Sequence, residues 1–159
     1  MIYKESIEAL FEKGAIKKCP ADEKTISNLM KRAYKDLTTA KTNLAVDEDC
    51  AYTYAYNAML RSGLAFMSAM GFRPDAPNKH EIVIKFTASF LGDEYRRLLN
   101  DYDFMRRKRN QLNYEPDLPC SRKEAASAIK TAQEFVEVIH KIIKRKNAQR
   151  EFDFRPKKN

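Results

Sequence analysis

A long segment with almost no charge constrains the fold of this chain more than any other feature. Residues 50–72 contain one charged side chain, Arg61, and are otherwise mostly apolar or small. At helical spacing they form two ridges, the second of which consists of small side chains. The first ridge comprises Tyr52, Tyr56, Met59, Gly63 and Met67, and the second comprises Ala51, Ala55, Ala58, Ser62, Ala65 and Ala69. Because a helix that is apolar on all sides is usually buried, we predict a central helix here rather than a membrane span.

Helical periodicity extends over most of the chain, and no alternation typical of strands is visible in the sequence. The predicted helices cover about residues 3–12, 22–44, 47–71, 78–92, 93–114 and 121–143. These elements predict a single all-α domain over residues 1–146. Its expected architecture is an up-and-down antiparallel helical bundle of about five to six helices.

Capping residues mark several of these helix boundaries. The second helix starts near Asp22, and the candidate N-caps of later helices are Asp47 or Asp49, Asn78 and Ser121. Each of the last two is followed three residues later by a glutamate, which is the pattern of a capping box. Gly71 is placed to end the central helix. Pro116 ends the fifth helix, because the residue before a proline avoids the α region.

The charge balance favours an anionic partner. Lys and Arg number 30 and Asp and Glu number 22, which leaves a formal net charge of +8. Such a balance is typical of proteins that bind nucleic acid, although a solvated basic surface gives the same number. The basic C-terminal tail, residues 147–159, contains Phe152 and Phe154. It is interpreted as disordered, as docking on a partner, or as gripping nucleic acid by charge and stacking.

Cysteine and histidine usage argues against a metal site. Cys19, Cys50 and Cys120 are far apart and odd in number, and His80 and His140 are the two histidines. No zinc-ligand spacing or glycine-rich phosphate loop is present in the sequence, so we expect no metal and no cofactor. Three unpaired thiols and the lack of a signal-peptide pattern predict a cytoplasmic protein that has no membrane partner.

The fifth predicted helix becomes polar and basic where its apolar stripe would continue. The stripe runs through Tyr95, Leu98, Leu99, Tyr102 and Met105, and then reaches Arg109. The candidate residues for binding an anion or a nucleic acid are Arg106, Arg109, Asn110, Asn113 and Tyr114. Guanidinium forks and amides on one helix face can bind a phosphodiester without specifying a base. The alternative is an internal ion-pair network with Glu94, Asp101, Asp103 or Glu115.

Neither histidine stands in a recognisable catalytic motif. His80 lies at the start of the fourth predicted helix, and His140 lies beside the inward-facing Ile139 of the last one. A histidine in such a position more often caps or packs than catalyses. Both are therefore interpreted as structural.

Four segments occur in a characteristic order along the chain. They are Asp36-Leu37 with Ala40, the Tyr/Ala-rich residues 51–58 leading to Gly71, His80 at the start of the next helix, and the run Arg109-Asn110-Gln111-Leu112-Asn113-Tyr114. In this order and spacing they resemble the HEPN superfamily, in particular its small members of the UPF0332 type. The resemblance covers roughly residues 8–146 and implies a helical bundle that commonly forms a homodimer.

The resemblance also implies a site. In ribonuclease members, an Arg is followed by a polar residue, often Asn, and then by a His after four to six intervening residues. Two such motifs meet across the dimer and cleave RNA without a metal. Arg109-Asn110 matches the start of the motif, but Tyr114 stands where a His is expected. Tyr is a poor general base at neutral pH, because its reference pKa is about 10.

The resemblance therefore implies a HEPN-domain protein of a toxin–antitoxin or defence-type pair, which binds RNA or a nucleotide and regulates its partner. The resemblance implies that this partner is a small MNT-type nucleotidyltransferase. Two alternatives remain. One is a metal-independent endoribonuclease with Arg109 and Tyr114 as its catalytic candidates, and the other is a pure protein-interaction module in which the arginines are structural.

Overall fold

The computed structural model describes residues 5–147 and, within them, six α-helices and two short strands. The helices are α1 (Ile7–Glu12), α2 (Glu23–Asn43), α3 (Glu48–Ala69), α4 (Lys79–Phe90), α5 (Arg96–Tyr114) and α6 (Arg122–Lys146). A single 3₁₀ turn, Asp93–Tyr95, precedes α5. The predicted all-α helical bundle is confirmed.

Helix α3 is the central element, as its sequence predicts. It packs against α2, α4, α5 and α6, and both of its predicted ridges are buried. At Gly63 an added Cβ would come within 2.4 Å of the Val83 Cγ1 atom on α4. The missing side chain therefore permits the close approach of α4, and this approach positions the start of α4 against α3.

The two longest flanking helices, α2 and α6, bury the stripes that the periodicity predicts. In α2 the buried stripe contains Ile26, Met30, Ala33, Leu37 and Ala40, and in α6 it contains Ala125, Ile129, Ala132, Val136, Ile139 and Ile143. Burial of these two stripes against α3 forms most of the core.

Two of the three predicted caps form. The side chains of Asp47 and Ser121 each accept a hydrogen bond from a backbone N–H in the first turn, and Ser121 completes a capping box with Glu124. Asp22, which was predicted only as the start of α2, also caps its helix. Asn78 precedes α4, as predicted, but its side chain makes no capping bond. Its backbone (φ −87°, ψ 49°) lies outside the extended region that an N-cap residue normally occupies.

A small two-stranded sheet is the element that the sequence did not predict. Strand β1 (Ile16–Lys18) pairs antiparallel with β2 (Phe72–Pro74). Three residues are too few for an alternating pattern to be visible. Gly71 lies immediately before β2 at φ 84°, and its carbonyl accepts a hydrogen bond from the Cys19 N–H. The pairing therefore depends on a turn that brings distant residues together.

Several further predictions can be compared with residues 5–147. The three cysteines are free thiols, as predicted. No described helix is long and apolar enough to cross a membrane. In the same residues no three His, Cys, Asp or Glu side chains cluster as metal ligands would. The basic tail lies, from residue 148 onward, outside the described residues, as do residues 1–4.

Candidate functional site

Two arginines directly follow the apolar stripe of helix α5. The side chains of Leu98, Leu99, Tyr102 and Met105 are buried, and Arg106 and Arg109 follow them as half-buried side chains. Since residues three and four positions apart share a helix face, Arg109 continues the stripe toward the interior. The inward placement of Arg109 agrees with the sequence prediction.

The two arginines differ in their partners: Arg106 has an acidic partner, whereas Arg109 contacts an aromatic ring. Arg106 forms an ion pair with Asp103 on the same helix, with 3.1 Å between Nη2 and Oδ1. The Arg109 guanidinium lies over the Tyr56 ring of α3, 5.8 Å from its centre, as a cation–π contact. No acidic side chain within residues 5–147 forms an ion pair with Arg109, and its buried Nε has no hydrogen-bond acceptor there. The ion-pair network considered above therefore describes Arg106 and does not extend to Arg109.

His80, the second residue of α4, lies in the same place. Its Nδ1 is 2.7 Å from the Tyr56 hydroxyl, and the two rings stack with their centres 5.7 Å apart. Burial lowers the pKa of His80, and the positive charges of Arg109 and Arg106 lower it further. The imidazole is therefore neutral at pH 7, and one of its nitrogens is held by Tyr56.

Tyr102 adds a second buried polar atom without a partner. Its ring lies 5.9 Å from that of Tyr56, and its hydroxyl has no hydrogen-bond partner within the described part of the chain. Burial raises the pKa of Tyr102 well above its ordinary value, so the hydroxyl keeps its proton. Buried polar groups are nearly always satisfied in folded proteins. Two unsatisfied polar atoms, Arg109 Nε and the Tyr102 hydroxyl, therefore lie beside the Tyr56 ring, and this makes the place a candidate site.

We call this group of five residues the arginine–histidine cluster. Its members are Tyr56, His80, Tyr102, Arg106 and Arg109. They come from three helices, and Tyr56 of α3 contacts three of the other four. The arrangement combines one charge without a counter-ion, a neutral imidazole and two protonated phenols.

A family model of the HEPN domain matches residues 26–143, from the first turn of α2 to the last turn of α6. This match covers most of the chain. The chain belongs to the HEPN family. No curated protein and no solved structure matches the chain.

The HEPN domain contains the whole arginine–histidine cluster as well as the rest of the predicted site. Asn110, Asn113 and Tyr114 are exposed on the last turns of α5, and Tyr114 is 83% exposed. The structure thus brings Arg106 and Arg109 together with His80, while it leaves the two asparagines and Tyr114 at the surface. Asn110 is rotated by about 100° around α5 from Arg109. Asn113 shares the helix face of Arg109 but lies in the last turn of α5, where it is exposed, as is Tyr114.

Sequence reasoning missed Tyr56 and His80 as members of the site. Tyr56 has the spacing of a core residue, and His80 is 24 positions away from it along the chain. The single available signal was the resemblance, which included both segments without joining them. The other histidine agrees with its structural interpretation, because His140 is buried and its Nδ1 lies 2.5 Å from the Tyr34 hydroxyl.

Sequence reasoning also missed a buried ion pair between α2 and α3. Asp36 is 1% exposed and accepts a hydrogen bond from Arg61, and Arg32 lies 3.5 Å away on the solvent side. Burial raises the pKa of Asp36, while the two arginines oppose this effect. A signal was present here, because a lone charge in an apolar helix such as Arg61 requires a partner.

Proposed function

We propose that this HEPN protein binds RNA at a phosphate site centred on Arg109. The observation that carries the proposal is the buried Arg109 Nε, which lacks an acceptor beside Tyr56. A phosphate oxygen would supply that acceptor, and the guanidinium remains charged at every physiological pH. Arg106 adds a weaker contribution, because Asp103 already neutralises part of its charge. A phosphate contact of this kind binds the backbone without reading a base.

The proposal is tested by fluorescence anisotropy with a labelled single-stranded RNA at several salt concentrations. We expect Arg109→Ala to weaken binding at least about tenfold and to reduce the slope of log affinity against log salt by about one. Arg96→Ala is the matched control, because Arg96 is an exposed arginine at the other end of α5 that pairs with Asp93. It should leave affinity and slope close to those of the wild type.

Two results would contradict this function. One is the absence of RNA binding by the wild type at low salt. The other is an equal loss of affinity in Arg109→Ala and Arg96→Ala, which would mean that only general positive charge matters. In either case the interaction module becomes the better description.

A second candidate function is metal-independent cleavage of RNA, and the position of His80 favours it. With Nδ1–H donating to the Tyr56 hydroxyl, the His80 Nε2 is free to accept a proton from a 2′-hydroxyl group. Arg109 would then stabilise the negative charge that develops on the phosphate. His80 is better placed for this role than Tyr114, whose side chain is 83% exposed.

Cleavage is measured with total RNA in the presence of a chelator. If the protein cleaves RNA, His80→Asn and Arg109→Ala should each lose activity, and Tyr114→Phe should retain it. Wild-type protein that binds RNA without cleaving it would favour the binding function. Loss of cleavage in Tyr114→Phe with full activity in His80→Asn would restore Tyr114 as the catalytic residue.

A homodimer belongs to the same proposal. Arg106 and Arg109 are half-buried near the end of α5, while the neighbouring Tyr114 and Leu118 expose large apolar surfaces. Pairing of two copies around this end would cover the apolar groups and leave the arginines in a hydrated cleft. Light scattering across micromolar concentrations should give twice the monomer mass, and a monomer throughout would contradict the pairing.

The cellular role that we propose is that of one member of a toxin–antitoxin or defence-type pair. Membership of the HEPN family supports this role, since the family is linked to nucleases and to such systems. The resemblance to small HEPN proteins supports a partner of the MNT nucleotidyltransferase type. Co-expression with an adjacent gene of that type should yield a stable complex, and separate elution of the two proteins would argue against it.

A further inference from the structure

A groove beside the two-stranded sheet shares no residue with the arginine–histidine cluster. Its volume is about 340 Å³. Within the described part of the chain it is lined by residues of α1, β1 and β2, namely Ile7, Glu8, Phe11, Glu12, Lys18 and Phe72. The Phe11 ring is 45% exposed, and α1 has one buried side chain, Leu10. Because so short a helix is marginal by itself, a segment that covers this exposed face would stabilise α1.

The charges that line the groove are mainly negative. Glu8 and Glu12 are exposed on α1, and neither forms an ion pair within residues 5–147. Lys18 is the basic side chain of the lining, and its Nζ lies 5.6 Å from the centre of the Phe11 ring. Two carboxylates thus stand against one ammonium beside exposed aromatic surface. The groove therefore suits a segment that is both basic and aromatic.

The described chain ends close to this groove. The Nζ atom of Lys146, the last residue of α6, lies 3.2 Å from the Sδ atom of Met70, the C-cap of α3. Met70 is two positions before Phe72, which lines the groove. An extended chain covers about 3.3 Å per residue, so the eight residues from Lys146 to Phe154 reach about 26 Å. The path from Lys146 to Phe72, through two side chains and two residues of backbone, is shorter than this reach.

The C-terminal tail has the composition that the groove requires. From residue 148 onward it contains four basic side chains, two acidic ones and two phenylalanines: Arg150, Arg155, Lys157 and Lys158, then Glu151 and Asp153, then Phe152 and Phe154. In an extended conformation alternate residues share a face, so Arg150 and both phenylalanines would lie on one face and both acidic residues on the other. Pro156 favours such a conformation, because the residue before a proline avoids the α region.

We propose that the C-terminal tail folds back into the groove between α1 and the sheet of the same chain. The two tail phenylalanines would pack against Phe11 and Phe72, and Arg150 would pair with a carboxylate of α1. Because the tail is tethered to α6 close by, its effective concentration at the groove is in the millimolar range, so a weak contact suffices. The docked tail connects α6 to α1 and withdraws part of its positive charge from RNA.

The test uses fluorescence, because the chain contains no tryptophan and Phe152→Trp gives the tail a unique fluorophore. In the full chain we expect emission at a shorter wavelength than that of N-acetyltryptophanamide, together with protection from acrylamide quenching. Phe11→Ala in this background should shift the emission to longer wavelength and raise the quenching constant at least about twofold. Phe104→Ala is the matched control, because Phe104 is an exposed phenylalanine of another helix that does not line the groove. Equal changes in the two variants would overturn the proposal.

A pair of charge variants tests the groove without removing a ring. Glu12→Lys places a cation in the groove and should also raise the quenching constant of the introduced tryptophan, because it repels the basic tail. Glu115→Lys makes the same charge change at the exposed C-cap of α5 and should leave the quenching constant unchanged. A tryptophan that is already as accessible as N-acetyltryptophanamide without either change would overturn the proposal and leave the groove to residues 1–4 or to another protein.

Two further measurements separate this docking from contacts with other molecules. A chain that carries both Phe152→Trp and Phe11→Ala is refolded with an excess of wild-type chain, and its tryptophan should stay accessible. A return of the shorter-wavelength emission would place the tail in the groove of a second copy and would overturn docking within one chain. A tryptophan that becomes protected only when RNA is added would identify the tail as a nucleic-acid contact and would also overturn the proposal.

Discussion

Two arginines meet the central helix of this HEPN domain in opposite ways. Arg61 extends from α3 to the buried carboxylate of Asp36, so its charge is compensated in the folded chain. Arg109 reaches α3 from α5 and meets the face of Tyr56, which attracts a cation but accepts no hydrogen bond at Nε. Both side chains are partly buried, and both interrupt an otherwise apolar stripe.

The difference separates a structural charge, Arg61, from the charge for which we propose a binding role, Arg109. Removal of one partner of a buried ion pair leaves an uncompensated charge, so the pair at Arg61 holds α2 and α3 in one arrangement. A partly buried cation without an anion lowers stability and is retained more readily when it binds something. The sequence alone does not distinguish these two arginines, and the following predictions test whether the distinction is real.

The largest expected effect is a loss of folding stability when Arg61, the paired arginine, is replaced. Arg61→Ala leaves Asp36 buried with Arg32 alone, so the free energy of unfolding should fall by about 3 kcal/mol. Urea unfolding measures this change. Arg32→Ala is the control and should cost less than about 1 kcal/mol, because Arg32 is largely exposed and lies on the solvent side. Equal effects of the two substitutions would show that the buried pair of Arg61 and Asp36 contributes no more to stability than the exposed Arg32 does.

A steric change between α3 and α4 should have the next largest effect. Gly63→Ala places a Cβ against Val83 and should lower the free energy of unfolding by about 1–3 kcal/mol. Since the shift moves α4, the contact between Tyr56 and His80 should weaken, and RNA binding should weaken with it. Gly92→Ala is the control, because its nearest neighbour would be 4.0 Å away. Urea unfolding that shows no difference between these two variants would contradict the close packing of α3 and α4.

Acidification should strengthen RNA binding and weaken the fold through the same histidine. The pKa of His80 is lowered in the folded chain, so the unfolded chain takes up a proton first as the pH falls below about 6.5. The contribution of His80 to the free energy of unfolding is therefore fully present above pH 6.5. It is lost as the pH falls to the lowered pKa of the folded chain. Below that pKa, His80 adds a positive charge beside Arg106 and Arg109. The slope of log RNA affinity against log salt should then become steeper by about one.

His80→Asn isolates this contribution, since other groups titrate in the same range. The variant should show a flatter pH dependence of both stability and RNA binding than the wild type. The groups that face His80 include Tyr56 from α3 and the two arginines from α5, and these are unchanged in the variant. Identical pH profiles of variant and wild type would show that His80 does not titrate in this site.

The effect of Arg109 on stability should be small and of opposite sign to that of Arg61. Arg109→Leu removes a cation that has no acidic partner among residues 5–147 and keeps the apolar contact with Tyr56. Thermal or urea unfolding should show a free energy within about 1 kcal/mol of the wild type, or a slight increase. A loss as large as that of Arg61→Ala would show that Arg109 is structural after all.

The smallest effect is expected at Tyr114. Its side chain is 83% exposed, so Tyr114→Phe should change the free energy of unfolding by less than about 0.5 kcal/mol. RNA binding by anisotropy should change less than about twofold. A larger loss of binding would place Tyr114 in the RNA interface, as the sequence first indicated, and would extend the phosphate site along the end of α5.

The helices, most of their caps and the inward position of Arg109 could be predicted from the sequence. These features depend on residues that are close along the chain: the stripe of α5 repeats every three or four positions, and the capping bonds of Asp47 and Ser121 each span three residues. Local spacing of this kind follows from helix geometry alone. The central place of α3 could be predicted for the same reason, because its composition leaves no polar side for solvent.

The partners that these side chains meet depend on tertiary packing. The close packing of α4 at Gly63 brings His80 to Tyr56, and the packing of α2 on α3 brings Asp36 to Arg61. The same packing left Arg109 without an anion while it gave Arg61 one. Contacts between residues far apart in the chain depend on the relative rotation and spacing of whole helices, and the order of residues within any one helix does not specify these quantities.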